Sequence, residues 1–356
     1  MTNRFLHLLA TRPWLLADGA TGSNLFDMGL TSGDAPELWN LAHPERIGAL
    51  HRSFIEAGAD IILTNSFGGT RYRLKLHQAQ DQVTELNQAA ARIARQEADA
   101  SGREVVVAGS MGPTGEILEP IGPLSAAAAQ AAFAEQAQAL AAGGADVLWI
   151  ETMSSKEEIE AAIAGARSAG LPIVSTMSFD TNGRTMMSLT PAELAAIHRE
   201  QGLAASGSNC GVGPSEMVAS IVNLSTGGDP SMVFVAKANC GIPQYVNGAI
   251  HYNGTPELMA VYAGLALDAG ARIIGGCCGT TAHHLKVMRD ALTHHVPGPK
   301  PDAALIEARL GALSMGAKAQ LSGHMDRASG AAVGATLRRS SRRRENHESD
   351  QSSTPK

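Results

Sequence analysis

An alternation constrains this chain more than any other feature. Eight short apolar or β-branched runs, at residues 14–17, 60–64, 105–109, 146–150, 173–178, 204–208, 232–236 and 272–276, are separated by longer alanine-rich stretches. In those stretches, among them 44–57, 125–143, 156–169, 191–201, 215–224, 256–269 and 282–294, apolar positions recur at helical spacing. Several close on a glycine just before the next run, as at Gly58, Gly143 and Gly270. A glycine is what a helix uses to end in the left-handed conformation. Strand and helix alternating eight times predict an α/β chain folded as a (β/α)8 TIM barrel. The rival doubly wound sheet should open with G-x-G-x-x-G after its first strand, whereas this chain runs into Asp18-Gly19-Ala20-Thr21-Gly22.

The chain's 356 residues accommodate one barrel of about 250 residues with an extension. The expected division is a barrel over 1–299, a helical extension over 300–321 with one helix at 302–313, and a disordered tail over 322–356. That tail is rich in Gly, Ser and Arg and ends RRSSRRRENHESDQSSTPK. Its arginine cluster reads as a solvated segment, and a formal net charge of -6 gives no overall pull toward nucleic acid or anionic lipid. No apolar run is long enough to span a membrane. The first residues lack a secretory signal, so a cytoplasmic location is expected. The sequence leaves a homo-oligomer open.

Barrel enzymes carry their chemistry on loops after the carboxyl ends of the strands, and there the reactive side chains of this chain are cysteines. Cys210 follows the sixth run in SNCGVGP, and Cys277 and Cys278 follow the eighth in GGCCGTT. One strand separates those two, so their ends converge over the barrel mouth. Three thiolates suit zinc, and three protein ligands with an open fourth position describe a catalytic zinc site. Cys240, near the end of the seventh run, reads either as a small buried hydrophobe or as a fourth ligand. His283-His284 and His294-His295 read as solvated helix faces.

The cysteine trio, together with Asp18-Gly19-Ala20-Thr21-Gly22 and Thr64-Asn65-Ser66-Phe67, resembles the homocysteine S-methyltransferase family over residues 12–296. The resemblance implies a barrel with Zn2+ on Cys210, Cys277 and Cys278, and homocysteine sulfur as the fourth ligand. It assigns the amino end of homocysteine to Glu151 and to the Asp18, Gly19, Ala20, Thr21 loop. The implied reaction takes a methyl group from a methylated onium donor to homocysteine, giving methionine. Betaine is the preferred donor, on a likeness to bacterial betaine-type members. S-methylmethionine, dimethylsulfoniopropionate and methyl exchange with a separate corrinoid protein are the alternatives. An aromatic box would hold a quaternary ammonium by cation–π attraction. The animal betaine enzymes carry tyrosine where Gly68 and Thr152 stand here, so Trp39, Phe67, Tyr72, Tyr245 and Tyr252 are the aromatics left to build such a box.

Overall fold

The computed structural model describes residues 3–226, 231–246 and 249–323. From residue 324 on, the expected tail lies outside the described residues. Among the described residues there are ten strands: β1 (Leu15–Leu16), β2 (Ile61–Leu63), β3 (Val106–Met111), β4 (Val147–Met153), β5 (Ile173–Met177), β6 (Ala205–Cys210), β7 (Phe234–Ala238), β8 (Pro243–Val246), β9 (Ala249–Tyr252) and β10 (Ala271–Gly276). Eight of them form one sheet in the order β1-β10-β7-β6-β5-β4-β3-β2, with every pairing parallel. Its two ends meet. Ala17 bridges Ile61, the Asp18 amide donates to the Ile61 carbonyl at 3.0 Å, and the Asp60 amide donates to the Leu16 carbonyl at 2.7 Å. The sheet is therefore closed into a (β/α)8 barrel, and each expected run overlaps one of its strands.

Residues alternate inward and outward along each strand. Leu15, Ile61, Val106, Val147, Trp149, Val174 and Val235 fill the interior. Phe5 and Leu8 of helix Arg4–Thr11 join that cluster and plug the amino-terminal end, while Arg4 donates to the Val105 carbonyl at the start of β3. Asp60 at the same end is fully buried and meets Arg12, Arg103 and Arg289 at 2.6, 3.4 and 2.6 Å. These residues staple the closed end, and the larger cluster outside the sheet is built by the helices. One interior position has no room for a side chain: a Cβ on Gly207 would stand 1.9 Å from the Val235 carbonyl oxygen.

Two elements depart from the expected pattern. Helix Val83–Ala100 follows β2 where the sequence reading marked no helix, and it buries Val83, Leu86 and Ile93 with five alanines and Asn87. The expected helix at 302–313 begins on an Asp302 cap but ends at Leu310, because Gly311 takes φ 103°. A further helix, Met315–Leu321, follows it. The two are joined to the barrel through Glu216, which accepts from the Ser314 amide at 2.7 Å and hydroxyl at 3.1 Å. No helix among the described residues is long and apolar enough to cross a membrane.

Candidate functional site

The sheet order sets β7 between β6 and β10, so Cys210 at the end of β6 and the Cys277-Cys278 pair just beyond β10 face one another across a single strand. The backbone is shaped to allow this. Cys210 sits at φ 58°, a left-handed conformation that costs a non-glycine residue on the order of 1 kcal/mol and clusters at functional sites. The Cys277 amide donates to the Ala238 carbonyl at 2.7 Å, and the Cys278 amide to Asn239 Oδ1 at 3.1 Å, which aligns the pair. Gly279 turns the chain at φ 79°, where a Cβ would strike the Tyr252 ring at 2.4 Å.

The three sulfurs lie within 4.8 Å of one another. Cys210 and Cys277 stand 2.8 Å apart, and all three are free thiols. Hydrogen bonds from Cys210 and Cys277 push the Cys278 thiol down to about 3, and the same contacts push Cys210 up. One thiolate shared by its neighbours is how three close sulfurs settle unaided, and a divalent cation is what lets all three ionise. Tetrahedral zinc with Zn–S bonds of about 2.3 Å spaces its sulfurs roughly 3.8 Å apart, inside the range spanned here. The donor set fits zinc. Cys240 is not part of it: its thiol is buried and donates to the Gly254 carbonyl at 3.1 Å.

A cavity of about 350 Å³ opens beside the sulfurs. Gly19, Ala20, Thr21 and Glu151 line it, as do Ser110 and Lys237. The glycine at 19 is sterically required, since a Cβ would stand 2.5 Å from the Thr280 carbonyl oxygen. Asp18 lies just beneath, 1% exposed. Its Oδ1 accepts from Lys237 Nζ at 2.6 Å and its Oδ2 from the Leu63 amide at 2.7 Å, so both oxygens are already engaged. Glu151 accepts from the Ser110 hydroxyl. Burial pushes the carboxyls of Asp18 and Glu151 up, and the Lys237 ammonium opposes this at both. For Lys237 burial alone lowers the pKa, but Asp18 and Glu151 outweigh it and hold the proton above the usual lysine range. Next to Glu151, Thr152 takes φ 65°, and Asn209 binds both its amide and its hydroxyl, at 3.0 and 2.7 Å. That link ties the end of β4 to the strand carrying Cys210.

The sequence reading did not find Lys237, Ser110 or Asn209. Each lies near the carboxyl end of a strand, one residue past the run that marks that strand in the sequence, and only strand order shows what it faces. It also passed over Glu37, a cavity-lining carboxylate that is 6% exposed and accepts from the Gly68 amide at 2.6 Å. Of the five aromatic candidates, Phe67 lines the cavity. Trp39 is buried with Arg46 4.9 Å from its ring centroid and His43 edge-on at 5.0 Å, outside the lining. Tyr72 packs against the outer core, also outside it. Tyr252 packs over Gly279 and hydrogen-bonds Cys278, on the hairpin formed by β8 and β9. The Tyr245 side chain lies outside the described residues. Of the histidines, His284 forms a reciprocal cap with Thr281, and His295 pairs with Asp268 at 2.8 Å.

Comparison with known proteins agrees with this arrangement. The chain is 31% identical over 297 residues to the methionine synthase of Mycobacterium tuberculosis, covering 79% of this chain and 25% of that protein. For the Mycobacterium leprae methionine synthase the identity is 31% over 313 residues, with 83% and 26% covered. The chain thus spans about a quarter of the length of these relatives. Among solved structures, the metallated homocysteine methyltransferase MmuM from Escherichia coli superimposes with a TM-score of 0.67 at 25% identity, covering 81% of this chain and 99% of that one. A methyltransferase from Methanosarcina mazei shares the fold at TM-score 0.53 and 15% identity, with 81% and 96% covered. A family model described as homocysteine S-methyltransferase matches residues 15–292, a span that takes in the whole closed barrel and all three clustered cysteines. The chain belongs to the homocysteine S-methyltransferase family.

Proposed function

We propose that this barrel methylates the thiol of homocysteine to give methionine, with Zn2+ held by Cys210, Cys277 and Cys278 and a small onium compound, betaine first, as methyl donor. The observation that carries the reading is the convergence of three sulfurs within 4.8 Å at the rim of a cavity sized for small molecules. The metallated state of the Escherichia coli homocysteine methyltransferase supports a metal in the same kind of barrel. When bound, zinc supplies the positive charge that keeps a substrate thiol ionised at neutral pH, where a free thiol near pKa 8.5 is mostly protonated.

The chain's own residues do the rest. Glu151 takes the substrate ammonium, and the Gly19-Ala20-Thr21 segment walls the amino-acid end. Asp18, with both oxygens already engaged, acts by fixing Lys237 and the end of β2. The substrate sulfur's lone pair forms the new S–C bond while the electrons of the donor's C–N or C–S bond leave with a neutral amine or sulfide. Alignment of the two reactants is a proximity task, met by a cavity that admits both. Sulfonium donors are the second reading, favoured by the cavity lining, to which Phe67 contributes alone among the four candidate rings whose side chains are described. The test is a donor panel of betaine, S-methylmethionine and dimethylsulfoniopropionate with homocysteine and zinc-loaded protein. Methionine from at least one donor is expected. No methionine from any, or full activity in Cys210→Ala without bound zinc, overturns the reading.

A further inference from the structure

The cavity that reaches the sulfurs is lined by two opposite charges for which the fold supplies no partner. Glu37 is 6% exposed. Its Oε1 takes the Gly68 amide, and among the described residues no cation approaches it within salt-bridge distance. Arg73 lines the same cavity, and its guanidinium has no ion pair or hydrogen bond among the described residues. Burying an unpaired carboxylate is costly. Burial pushes the Glu37 carboxyl up, and the fields of Arg73 and His77 offset this only in part. A folded chain that keeps such a group at a cavity wall has left its counter-charge to a ligand.

Gly68 explains how the carboxylate comes to be there. A Cβ at position 68 would stand 2.9 Å from Glu37 Oε1, so any side chain there displaces the carboxylate. A ring at position 68 and the Glu37 carboxylate in its present place exclude each other. This chain has the carboxylate.

We propose that Glu37 and Arg73 bind the methyl donor and that the donor is a zwitterion, a carboxylate-bearing onium compound with its cationic head toward Glu37 and its carboxylate toward Arg73. An onium head bears no N–H or S–H to donate, so it is held by charge and contact alone, which a buried carboxylate and the flank of Phe67 supply. The carboxylate matches guanidinium geometry. Glu37 and Arg73 thereby set specificity, admitting onium acids and excluding onium compounds that lack an acid group. This assignment rests on the methyl-transfer reading above.

The test is calorimetric binding of betaine, dimethylsulfoniopropionate and choline to the zinc-loaded full chain with homocysteine present, run beside the methionine assay. Wild type should bind at least one of the two zwitterions more tightly than choline. Glu37→Gln, which keeps an oxygen for the Gly68 amide, should weaken that zwitterion roughly tenfold or more while zinc content and homocysteine KM stay within about twofold. Arg73→Gln should weaken the zwitterion and leave choline unchanged. The proposal is overturned if neither zwitterion binds, if choline binds as tightly, or if Glu37→Gln binds the zwitterion like wild type. It is equally overturned if that variant loses zinc or homocysteine affinity in proportion, since Glu37 is then a structural residue. Binding that depends on Glu37 without any methionine refutes the methyl-transfer reading and leaves the zwitterion site standing. Methionine formation with both variants binding like wild type refutes the zwitterion site alone.

Discussion

Replacing Lys237 with methionine tests the charge arrangement at the base of the cavity. Lys237 and Asp18 are 2% and 1% exposed and stand 2.6 Å apart, from strands at opposite ends of the sequence. Methionine preserves most of the volume, so the change removes chiefly the ammonium. Asp18 keeps only the Leu63 amide, and breaking a buried pair from one side costs about 3–5 kcal/mol. Removing both charges, in Lys237→Met with Asp18→Asn, leaves the amide bonded and no orphan charge at position 18, while Glu151 loses the ammonium equally in both variants. The double variant should therefore be more stable than Lys237→Met alone, by roughly 2 kcal/mol or more. The pH dependence carries a further sign. Without Lys237, burial raises the Asp18 carboxyl against backbone hydrogen bonds alone, so the folded variant binds a proton that the unfolded chain, at about 3.9, has released. Its stability relative to wild type is then greatest below pH 4 and falls as pH rises, by at most about 1.4 kcal/mol per unit. Urea denaturation of the three zinc-loaded proteins at pH 5 and pH 7, followed by tryptophan fluorescence, reads both effects. A penalty under about 1 kcal/mol for Lys237→Met, or a double variant no more stable than the single, refutes the argument.

Other expectations follow from the same geometry. Cys210→Ala should lose stoichiometric zinc by elemental analysis and lower methionine formation by more than ~100-fold, the upper range seen even for residues outside the ligand set. Tyr252→Phe removes a hydrogen bond to Cys278 and should weaken zinc by roughly 10-fold in a chelator competition, with the fold intact by circular dichroism. Gly207→Ala drives a methyl into the Val235 carbonyl and should cost at least about 3 kcal/mol or prevent folding, seen as insoluble expression. His51 is fully buried with neither ring nitrogen bonded, and burial lowers it to about 4. Below 6.5 the unfolded chain gains a proton that the fold refuses, a loss of about 3 kcal/mol by pH 4. His51→Leu should flatten that acid limb in pH-dependent melting.

The cysteine cluster was legible in the sequence because it is built from a rare residue type at places the barrel pattern fixes: after the sixth and eighth strands, with glycines to bend the chain. The strands were legible for a similar reason, since both faces of a barrel strand are buried and each reads as a short apolar run. Helix Val83–Ala100 was not picked out, although Val83, Leu86, Ala90, Ile93 and Ala94 recur at helical spacing along its buried face. The aromatic box was sought from ring counts, yet Trp39 spends its ring on Arg46 and the outer core. Glu37 sits in a single 3-10 turn, Pro36–Leu38, too short to give a periodic pattern, and Lys237 meets a carboxylate 219 positions away.

In the proposed assignment those two residues together decide which carboxylate meets which cation. Asp18, Glu151 and Glu37 all stand at or beneath one cavity, and an amino-acid ammonium and an onium head would otherwise compete for the same charges. Lys237 withdraws Asp18 from that competition by occupying Oδ1, while the Leu63 amide holds Oδ2. Glu151 is left beside the loop that walls the amino-acid end, and Glu37 lies at Gly68 on the loop after β2. In the proposed assignment each substrate thus has one carboxylate of its own. In that assignment the separation lets a nucleophilic sulfur and an electrophilic methyl share one small cavity without either substrate blocking the other, the arrangement that the proximity term in methyl transfer requires.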